Sequence, residues 1–409
     1  MSKVKLNVLY IYSCGEYPPR KTVSSFIYSF EKYSDHRIFY HNLSFAKLPF
    51  WYRFIDFDIV IYSHFITTPW HRVRYAKKIK YLKKWIFPKA KKVAFFQDEY
   101  FNTDLTASFI NELNINDVFS VAPQDQWPVI YNRVLNERVK FHHYLTGYVD
   151  EKDLESFGND SVRDIDIGYR TGWQLAGMYR LGSFGALKFK IAKAILDINS
   201  DLRLDIKIGE GFLKGEAWLN FLSRCRYSLG VESGASLLDS DGKISECITK
   251  IQMENKQLSF EECENTCFPG LDGNLSLKAI SPRVFESAAA RCGLILVEGN
   301  YNGILEPHVH YISVKPDFSN LDKVISKVKD EVLRETMVER TFNDLILSGK
   351  YSYSTFIRHF FKTINVAGRP SESSQFFLCL NRANDKLSWL KVAAWEVVSP
   401  YIRKWILKP

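Results

Sequence analysis

The sequence predicts an α/β protein built from two similar halves. Short apolar runs of strand length alternate with amphipathic stretches of helix length along most of the 409 residues. This alternation is typical of βα units around a mostly parallel sheet. A chain of this length has room for two or three domains, so we expect two sheets with a cleft between them.

The first half, residues 1–155, supplies the first of these sheets. Strands are expected at 5–12, 58–62, 92–96 and 117–121, and they are followed by SCGEYPPR, SHFITTPW, QDEYF and APQDQ. Ligands of open α/β sheets bind beyond the carboxyl ends of the strands. We therefore expect the chemistry of this half to lie in these four polar exits.

The second half follows a polar, acidic segment near residue 155 that predicts a linker. Strands are expected in DIDIGYRTG, LDIKIGEG, CRYSLGVESGAS and GLILVEGN, each with a glycine-containing exit. The second domain is thus expected over residues 163–365. Residues 239–278 interrupt the alternation of strands and helices in this domain and predict an insertion that is helical around SFEECEN. Residues 380–409 predict a separate amphipathic helix.

The amino-acid composition indicates the cellular compartment of the protein and the kind of partner that it binds. The net charge of +9 predicts an acidic partner, such as nucleic acid, an anionic membrane or a phosphorylated substrate. The first strand begins almost at once and no run of 18 apolar residues exists, so we expect neither a signal peptide nor a membrane span. Seven scattered cysteines predict free thiols in a reducing compartment. Cys247, Cys263 and Cys267 leave a metal site as an alternative, although paired zinc spacing is absent.

One segment of the second half has an unusual arrangement. SPRVFESAAARCGLILVEG, residues 281–299, places one carboxylate, Glu286, ahead of four small residues and a glycine. Together with its continuation to Val314, it resembles the group-one glycosyltransferases of the GT-B architecture, and most closely their spore-protein-like subgroup. The resemblance covers residues 163–365 by pattern and the first half by organisation only. It implies two Rossmann-like domains, an N-terminal acceptor domain and a C-terminal nucleotide-sugar donor domain, without a metal or other cofactor.

The resemblance also implies roles for particular residues. Glu286 would accept hydrogen bonds from the donor ribose, because a carboxylate offers two oxygens to a vicinal diol. Arg170 and Lys188, with Lys190 as the alternative to Lys188, would bind the diphosphate, since the departing nucleoside diphosphate needs fixed positive charge. A helix cap at Glu286 and an ordinary surface role for Arg170 are the alternatives.

Further donor contacts are expected at strand exits and glycine turns of the second half. The family often carries a second glutamate eight residues before the first, but this sequence has Lys278 there, and Glu232 is the acidic substitute. The remaining candidates for donor binding are Gly172, Arg283, Asn302 and Gly303.

The catalytic candidates lie at strand exits of the first half. His64 follows one strand, and Asp98 and Glu99 follow the next. An inverting transferase needs a general base near the acceptor hydroxyl, whereas a retaining one does not. We expect at least one of the three to face the cleft, and a capping or hydrogen-bonding role is the alternative for each.

Two segments combine basic and aromatic residues. Residues 71–92 hold ten lysines or arginines and no acid, and they predict a helix that packs through Val73, Ala76, Ile79, Leu82 and Ile86. Residues 385–409 repeat the theme with three tryptophans. Such segments suit a membrane interface, where each basic residue contributes about 1 kcal/mol. A helix that packs back on the protein is the alternative for the C-terminal segment.

The sequence therefore predicts a peripheral enzyme on the inner face of the cytoplasmic membrane. It would move a sugar from a nucleotide-sugar to a lipid-linked glycan, as in the synthesis of O-antigen, capsule or lipopolysaccharide. The alternatives are a nucleotide-sugar epimerase of the same fold and a non-catalytic protein that binds membrane surfaces. Nucleic-acid binding is disfavoured because no recognisable module is present, and a protein acceptor stays open.

Overall fold

The computed structural model describes residues 4–44, 46–156, 162–171, 178–198, 200–209, 211, 213, 215–255, 258–368 and 374–406. The strands are β1 Asn7–Tyr12, β2 Arg37–Asn42, β3 Ile59–Tyr62, β4 Lys91–Phe96, β5 Asp117–Ser120, β6 Lys140–His143, β7 Ile165–Thr171, β8 Leu204–Ile208, β9 Cys225–Gly230, β10 Ser233–Ala235, β11 Leu277–Ala279, β12 Gly293–Val297 and β13 Ile312–Val314. The α-helices are α1 Lys21–Lys32, α2 His64–Thr67, α3 Arg72–Leu82, α4 Thr103–Leu113, α5 Trp127–Ile130, α6 Gly182–Leu196, α7 Glu216–Arg224, α8 Lys243–Glu254, α9 Phe260–Cys267, α10 Pro282–Ala289, α11 Leu321–Val328, α12 Glu331–Phe342, α13 Tyr353–Ile364 and α14 Ser374–Ile406.

Eleven of the thirteen described strands form two parallel sheets, one in each half of the chain, and β10 and β11 pair separately as a short antiparallel ribbon. The first has the order β2-β1-β3-β4-β5-β6 and the second the order β13-β12-β9-β7-β8, with parallel pairing throughout. The two predicted sheets are thus confirmed, and the four strands expected in the first half end within two residues of the prediction. Strands β1 and β3 are buried along their whole length, as expected for central strands covered on both faces.

Aromatic side chains fill one face of the first sheet. Phe95 on β4 packs against Phe26 and Phe30 of α1, with ring centroids 5.5 and 6.1 Å apart. It also contacts Phe360 of α13 at 5.8 Å. Helix α13 therefore returns from the predicted second domain to cover the first sheet. Much of the high aromatic content serves this core.

The predicted insertion, residues 239–278, is a helical pair that contains a disulfide. Helices α8 and α9 are joined by a bond between Cys247 and Cys267, while Cys263 is a buried free thiol. The expectation of free thiols was wrong for this pair, because the two helices bring the sulfurs together. A disulfide persists in oxidising compartments, so the pair does not support the reducing compartment that the cysteine count predicted.

The basic segment at 71–92 forms a shorter helix than predicted. Helix α3 ends at Leu82, and the chain turns before Pro88, which cannot continue a helix. The buried face consists of Tyr75, Ile79 and Leu82. The predicted packing face was therefore wrong in part, since Val73, Ala76 and Ile86 are exposed.

The C-terminal segment belongs to the long helix α14, whose first half packs on the edge of the first sheet. Asn381 bonds both backbone groups of Tyr40 on β2, at 2.9 and 2.8 Å. Asp385 accepts hydrogen bonds from Tyr12 and Tyr28 at 2.7 and 2.8 Å. The alternative of a helix that packs back on the protein therefore describes this part of 380–409, because Asn381 pairs with the open edge of β2 and Asp385 with two tyrosine hydroxyls.

The last residues of the predicted tail are described only in part. Residues 407–409 and the side chains of 399–406 lie outside the described residues. Across the ranges that the structure describes, every helix is too short or too polar to cross a membrane.

Candidate functional site

Two adjoining cavities open between the halves, at the carboxyl ends of both sets of strands. The larger, of about 830 Å³, is lined chiefly by the first half, and the smaller, of about 560 Å³, by the second. Arg20 and Ser233 line both cavities. This is where open α/β sheets bind their ligands. We call the first the acceptor-side cavity and the second the donor-side cavity.

The donor-side cavity is cationic. Arg20, Lys188 and Arg283 line it, and no aspartate or glutamate stands among its described lining residues. Ser281, the residue before α10, also lines it, and a helix N-terminus favours anions. Gly209 follows β8 with a φ of 75°, a conformation that glycine adopts without strain. The cavity thus combines positive charge with a backbone segment that a ligand can approach closely.

Lys188 and Lys190, which the sequence left as alternatives, differ in placement. Lys188, in the second turn of α6, is half-buried and lines the donor-side cavity, whereas Lys190 is exposed. The pKa of Lys188 is lowered to about 8, chiefly by burial and also by the nearby Arg283, while Asp98 opposes both effects. A partly desolvated ammonium beside a second cation has much to gain from an anionic ligand.

Arg283 and Glu286 lie one turn apart on α10 and meet over Trp218 of α7. The Arg283 guanidinium lies 5.4 Å from the Trp218 ring centroid and donates to the carbonyl of Arg170. Glu286 accepts from the Trp218 indole nitrogen at 2.8 Å, and burial raises its pKa. Glu286 lines a neighbouring cavity of about 50 Å³ rather than the donor-side cavity, and its contact with a ribose stays a prediction.

Asp98 is the catalytic candidate that faces the cleft. It follows β4 in a left-handed conformation, with a φ of 55°, which is uncommon for a residue with a Cβ and recurs at functional sites. Its carboxylate is exposed to the acceptor-side cavity. The surrounding walls raise its pKa by desolvation, and Lys188 and Arg20 oppose the rise. Asp98 therefore lies within electrostatic reach of the donor-side cations.

Glu99, the next residue, points into the protein and is only 3% exposed. It accepts hydrogen bonds from Val121 and Ala122 backbone nitrogens at 3.0 and 3.3 Å, and from the hydroxyls of Ser120 and Tyr131. Burial raises its pKa to about 7, and these hydrogen bonds limit the rise. Glu99 therefore has the hydrogen-bonding role that was its alternative, because both of its carboxylate oxygens accept hydrogen bonds from the protein itself.

His64 begins α2 at the back of the acceptor-side cavity and is buried. Its ring contacts Phe26 and Phe65, with centroids 5.0 and 3.8 Å away. Burial lowers its pKa to about 3. A histidine that stays neutral and is enclosed by aromatic rings is a poor proton acceptor, so we do not place His64 in the reaction.

Arg170 does not reach the donor-side cavity, contrary to the role implied by the resemblance. Its guanidinium bonds the Asp205 carboxylate at 2.7 Å and lies 4.1 Å from the Phe221 ring centroid. The residue is 6% exposed. The cause is strand alternation, since Tyr169 and Thr171 line the cavity and Arg170 points to the opposite face.

Three other donor candidates lie in or against one turn of the second half, at Tyr301–Gly303. Glu232 is buried and accepts from the Tyr301 backbone nitrogen at 2.7 Å. Asn302 accepts from the Ile280 backbone nitrogen at 2.6 Å, and Gly303 closes the turn with a φ of 67°. None of the three lines the cavities described here. Gly172 lies outside the described residues.

Sequence reasoning gave no donor role to several residues of the site. Arg20 was noticed only as a member of the first loop, Tyr169 and Ser281 lie in quoted segments without a role of their own, and Trp218 belongs to no motif. Across the described ranges, three or more histidine, cysteine, aspartate or glutamate side chains nowhere meet in a group that could hold a metal ion. Metal independence stays a prediction.

The sequence matches no known family model and no curated protein sequence. Solved structures are nevertheless similar to this chain. T4 phage BGT in complex with its UDP-glucose substrate is 15% identical with a TM-score of 0.51, over 88% of this chain and 100% of that one. Sucrose-phosphate synthase from Thermosynechococcus elongatus is 8% identical with a TM-score of 0.50, over 88% and 98%.

A structure of the DNA modifying enzyme beta-glucosyltransferase is 14% identical with a TM-score of 0.50, over 88% of this chain and 99% of that one. At these identities the similarity concerns the fold. The chain has the GT-B fold, with two Rossmann-like domains that face each other across a cleft and a long C-terminal helix.

Proposed function

We propose that the protein is a glycosyltransferase that moves a sugar from a nucleoside-diphosphate sugar to a lipid-linked glycan. The observation that carries the proposal is the opposition, across one cleft, of a cationic cavity without acids and a solvent-facing carboxylate. Lys188 and Arg283 supply the charge, and Asp98 is the carboxylate. Phosphate-bearing donors need the first feature and proton removal from an acceptor needs the second.

In the proposed reaction, the acceptor side of the cleft removes a proton and the donor side stabilises the leaving group. Asp98 takes the proton of the acceptor hydroxyl while that oxygen forms a bond to the anomeric carbon. The bond between this carbon and the diphosphate oxygen breaks, and the electron pair leaves with the nucleoside diphosphate. Lys188 and Arg283 stabilise the developing negative charge. Attack opposite the leaving group makes the transfer inverting.

A uridine nucleotide is the first donor to test. The support is indirect, since T4 phage BGT, which shares the fold, was solved with UDP-glucose. Calorimetric titration with UDP, GDP, ADP and CDP would identify the base, and release of the nucleotide from its sugar conjugate would report transfer to water. We expect saturable binding of one nucleotide, and absence of binding of all four at millimolar concentration would contradict the proposal.

An epimerase of the same fold is the second enzymatic candidate. It acts on the nucleotide-sugar alone and requires no acceptor site. The acceptor-side cavity of about 830 Å³ beside the donor-side cavity favours a transferase. Conversion of one nucleotide-sugar into another, without release of the nucleotide, would decide for the epimerase.

A basic and aromatic surface of the first half supports the proposed membrane acceptor. The 3₁₀ turn at Phe50–Phe54 presents Phe50 and Phe54, which are 73% and 66% exposed. Arg53 in the same turn lies 5.2 Å from the ring of Trp85, beside Ile86, which is 78% exposed. Exposed aromatic residues interleaved with basic ones suit the interface of an anionic leaflet.

Helix α14 continues this surface. Trp51 of the 3₁₀ turn stacks on Phe377 near the start of α14, with ring centroids 5.7 Å apart. The outward face of the helix carries a stripe of exposed apolar residues at helical spacing, namely Phe376, Leu380, Leu387, Leu390 and Val397. We propose that this stripe and the 3₁₀ turn lie together on the inner face of the cytoplasmic membrane, where anionic lipid is enriched and where the Cys247–Cys267 pair is expected to be reduced.

Vesicle sedimentation tests the membrane proposal. We expect binding to vesicles with anionic lipid, weakened by salt, and at least tenfold weaker binding of the Phe50→Ser/Phe54→Ser variant. Val332→Ser, which alters an exposed apolar residue of the second half, is the matched control. Equal binding of the Phe50→Ser/Phe54→Ser variant and the wild type would contradict the surface assignment.

A further inference from the structure

The acceptor-side cavity carries positive charge that the fold itself does not use. His71, Arg74 and Lys78 line one wall of this cavity. Their spacing of three and four residues places them on one face of α3. The wall they form is separate from the donor-side cations, which lie in the second half and the first loop.

The three side chains contrast with their neighbour Arg72. Arg72 on the same helix bonds Asp104 and Asn102. Within the ranges that the structure describes, Arg74 has no ion pair or hydrogen bond. Lys78 reaches a backbone carbonyl, that of Ile66, at 3.3 Å. Burial lowers the pKa of Lys78 to about 8, so an anion beside it would restore a favourable charge state.

The two acids that line the cavity, Glu16 and Asp98, each have cations of the first loop or the donor side near them. Glu16 lies 3.9 Å from Arg20 in the first loop. Asp98 interacts electrostatically with Lys188 and Arg20, as its pKa indicates. The α3 wall therefore presents a net positive surface to whatever occupies the cavity, in addition to the charge of Arg20 in the first loop.

We propose that His71, Arg74 and Lys78 bind a phosphate group of the acceptor, which is then a sugar linked to lipid through phosphate or diphosphate. This inference rests on the proposed function and specifies its acceptor. Cationic side chains on one helix face suit phosphate because they give several charge-assisted hydrogen bonds at once. Trp70, half-exposed at the same wall, offers an apolar face to the attached sugar or lipid.

The position of α3 agrees with such an acceptor. The helix has 11 residues and so spans about 16 Å. Its first turns line the cavity, and its last turn leads to Trp85 and Ile86 in the basic and aromatic surface proposed to contact the membrane. A lipid-linked acceptor could therefore lie along α3, with its phosphate in the cleft and its lipid chain in the bilayer.

Calorimetric titration with farnesyl diphosphate tests the subsite. The protein is first saturated with UDP so that the donor-side cavity is closed to the probe. We expect farnesyl diphosphate to bind, farnesol not to bind, and affinity to fall about tenfold or more in Arg74→Ala and Lys78→Met. Lys80→Ala, an exposed change on the opposite face of α3, should leave affinity unchanged.

Two outcomes would overturn the proposal. One is equal affinity in wild type and Arg74→Ala, since Arg74 is exposed and its loss does not threaten the fold. The other is a stronger, Arg74-dependent affinity for a DNA or RNA oligonucleotide, which would assign the cations to a nucleic-acid acceptor.

The UDP titration of the wild type separates this proposal from the proposed function. Failure of UDP, GDP, ADP and CDP alike to bind would contradict the transferase itself, whereas binding of a nucleotide with a base other than uracil would only replace UDP in the farnesyl diphosphate titration. If none of the four binds, the same farnesyl diphosphate titration in the Lys188→Met/Arg283→Ala variant still reports on the α3 subsite, because that variant lacks both donor-side cations of the second half.

Discussion

Two groups of charged residues lie near the cleft and have opposite environments. The cleft charges, Asp98, Lys188 and Arg283, line the cavities. The paired charges, Glu99, Arg170 and Glu232, point into the protein and bond its own groups. Both groups look alike in the sequence, and Asp98 and Glu99 are even adjacent. The difference shows that a charge is available for a substrate where the fold places it on a cavity wall, whatever its position in the sequence.

This comparison separates function from stability. Variants of the cleft charges should change nucleotide binding or turnover and leave the free energy of unfolding nearly unchanged. Variants of the paired charges should do the reverse.

Asp98→Asn should cause the largest loss of turnover. Removal of a general base costs about 10²- to 10⁴-fold in rate, and we expect a loss in this range in the release of nucleotide from its sugar conjugate. The affinity for the nucleotide and the melting temperature should stay close to those of the wild type. Turnover at the wild-type rate would remove Asp98 from the mechanism and return the base to Glu99 or His64.

Lys188→Met should weaken nucleotide binding by about tenfold to a hundredfold. A hydrogen bond to a charged group contributes about 1.5–3 kcal/mol, and the methionine keeps the apolar stem of the side chain. Lys190→Met in the same helix is the matched control, because Lys190 is exposed. Similar losses in both variants would show that the general charge of α6, rather than one placed ammonium, attracts the nucleotide.

Arg170→Ala should lower the free energy of unfolding by about 2–3 kcal/mol. Breaking a buried ion pair leaves a charge without its partner, and the partial exposure of Asp205, at 32%, limits the cost. Denaturant unfolding measures this loss, and the titration with nucleotide should give an affinity within about twofold of wild type. An unchanged free energy of unfolding would place Arg170 among the cleft charges.

The pH dependence of binding gives the smallest effect. The pKa of Lys188 lies at about 8 in the free protein, and a bound diphosphate favours the charged form. Affinity should therefore be greatest below pH 8 and fall by up to about tenfold per pH unit above it, as binding must take up a proton. Titration at pH 9 in buffers of different ionisation enthalpy would detect that proton, and Lys188→Met should abolish it.

The architecture was largely predictable from the sequence, and the site only in part. Buried parallel strands appear in a sequence as apolar runs followed by polar residues. The predicted bounds of β1, β3, β4 and β5 are therefore within two residues of the observed ones. The exit of β4 also led to Asp98. By contrast, β2 and β6 gave no clear signal, and α3 was extended past Leu82 because helical spacing continues in the sequence beyond the turn.

The site residues required tertiary information. Whether Arg170 or Arg283 faces the donor-side cavity depends on strand alternation and on the presence of Asp205 on the neighbouring strand, which one sequence does not show. Trp218 was missed for the same reason, since it meets Glu286 only when α7 and α10 pack. The disulfide between Cys247 and Cys267 likewise depends on how two helices of the insertion meet.

The most direct test of the account is the affinity for UDP of three proteins, wild type, Arg283→Ala and Arg170→Ala, titrated at pH 7 under identical conditions. Both variants remove an arginine from the second domain, but only Arg283 lines the donor-side cavity. The account predicts at least tenfold weaker binding in Arg283→Ala and an affinity within about twofold of wild type in Arg170→Ala. The opposite order, or equal losses in both variants, would contradict the assignment of the donor site.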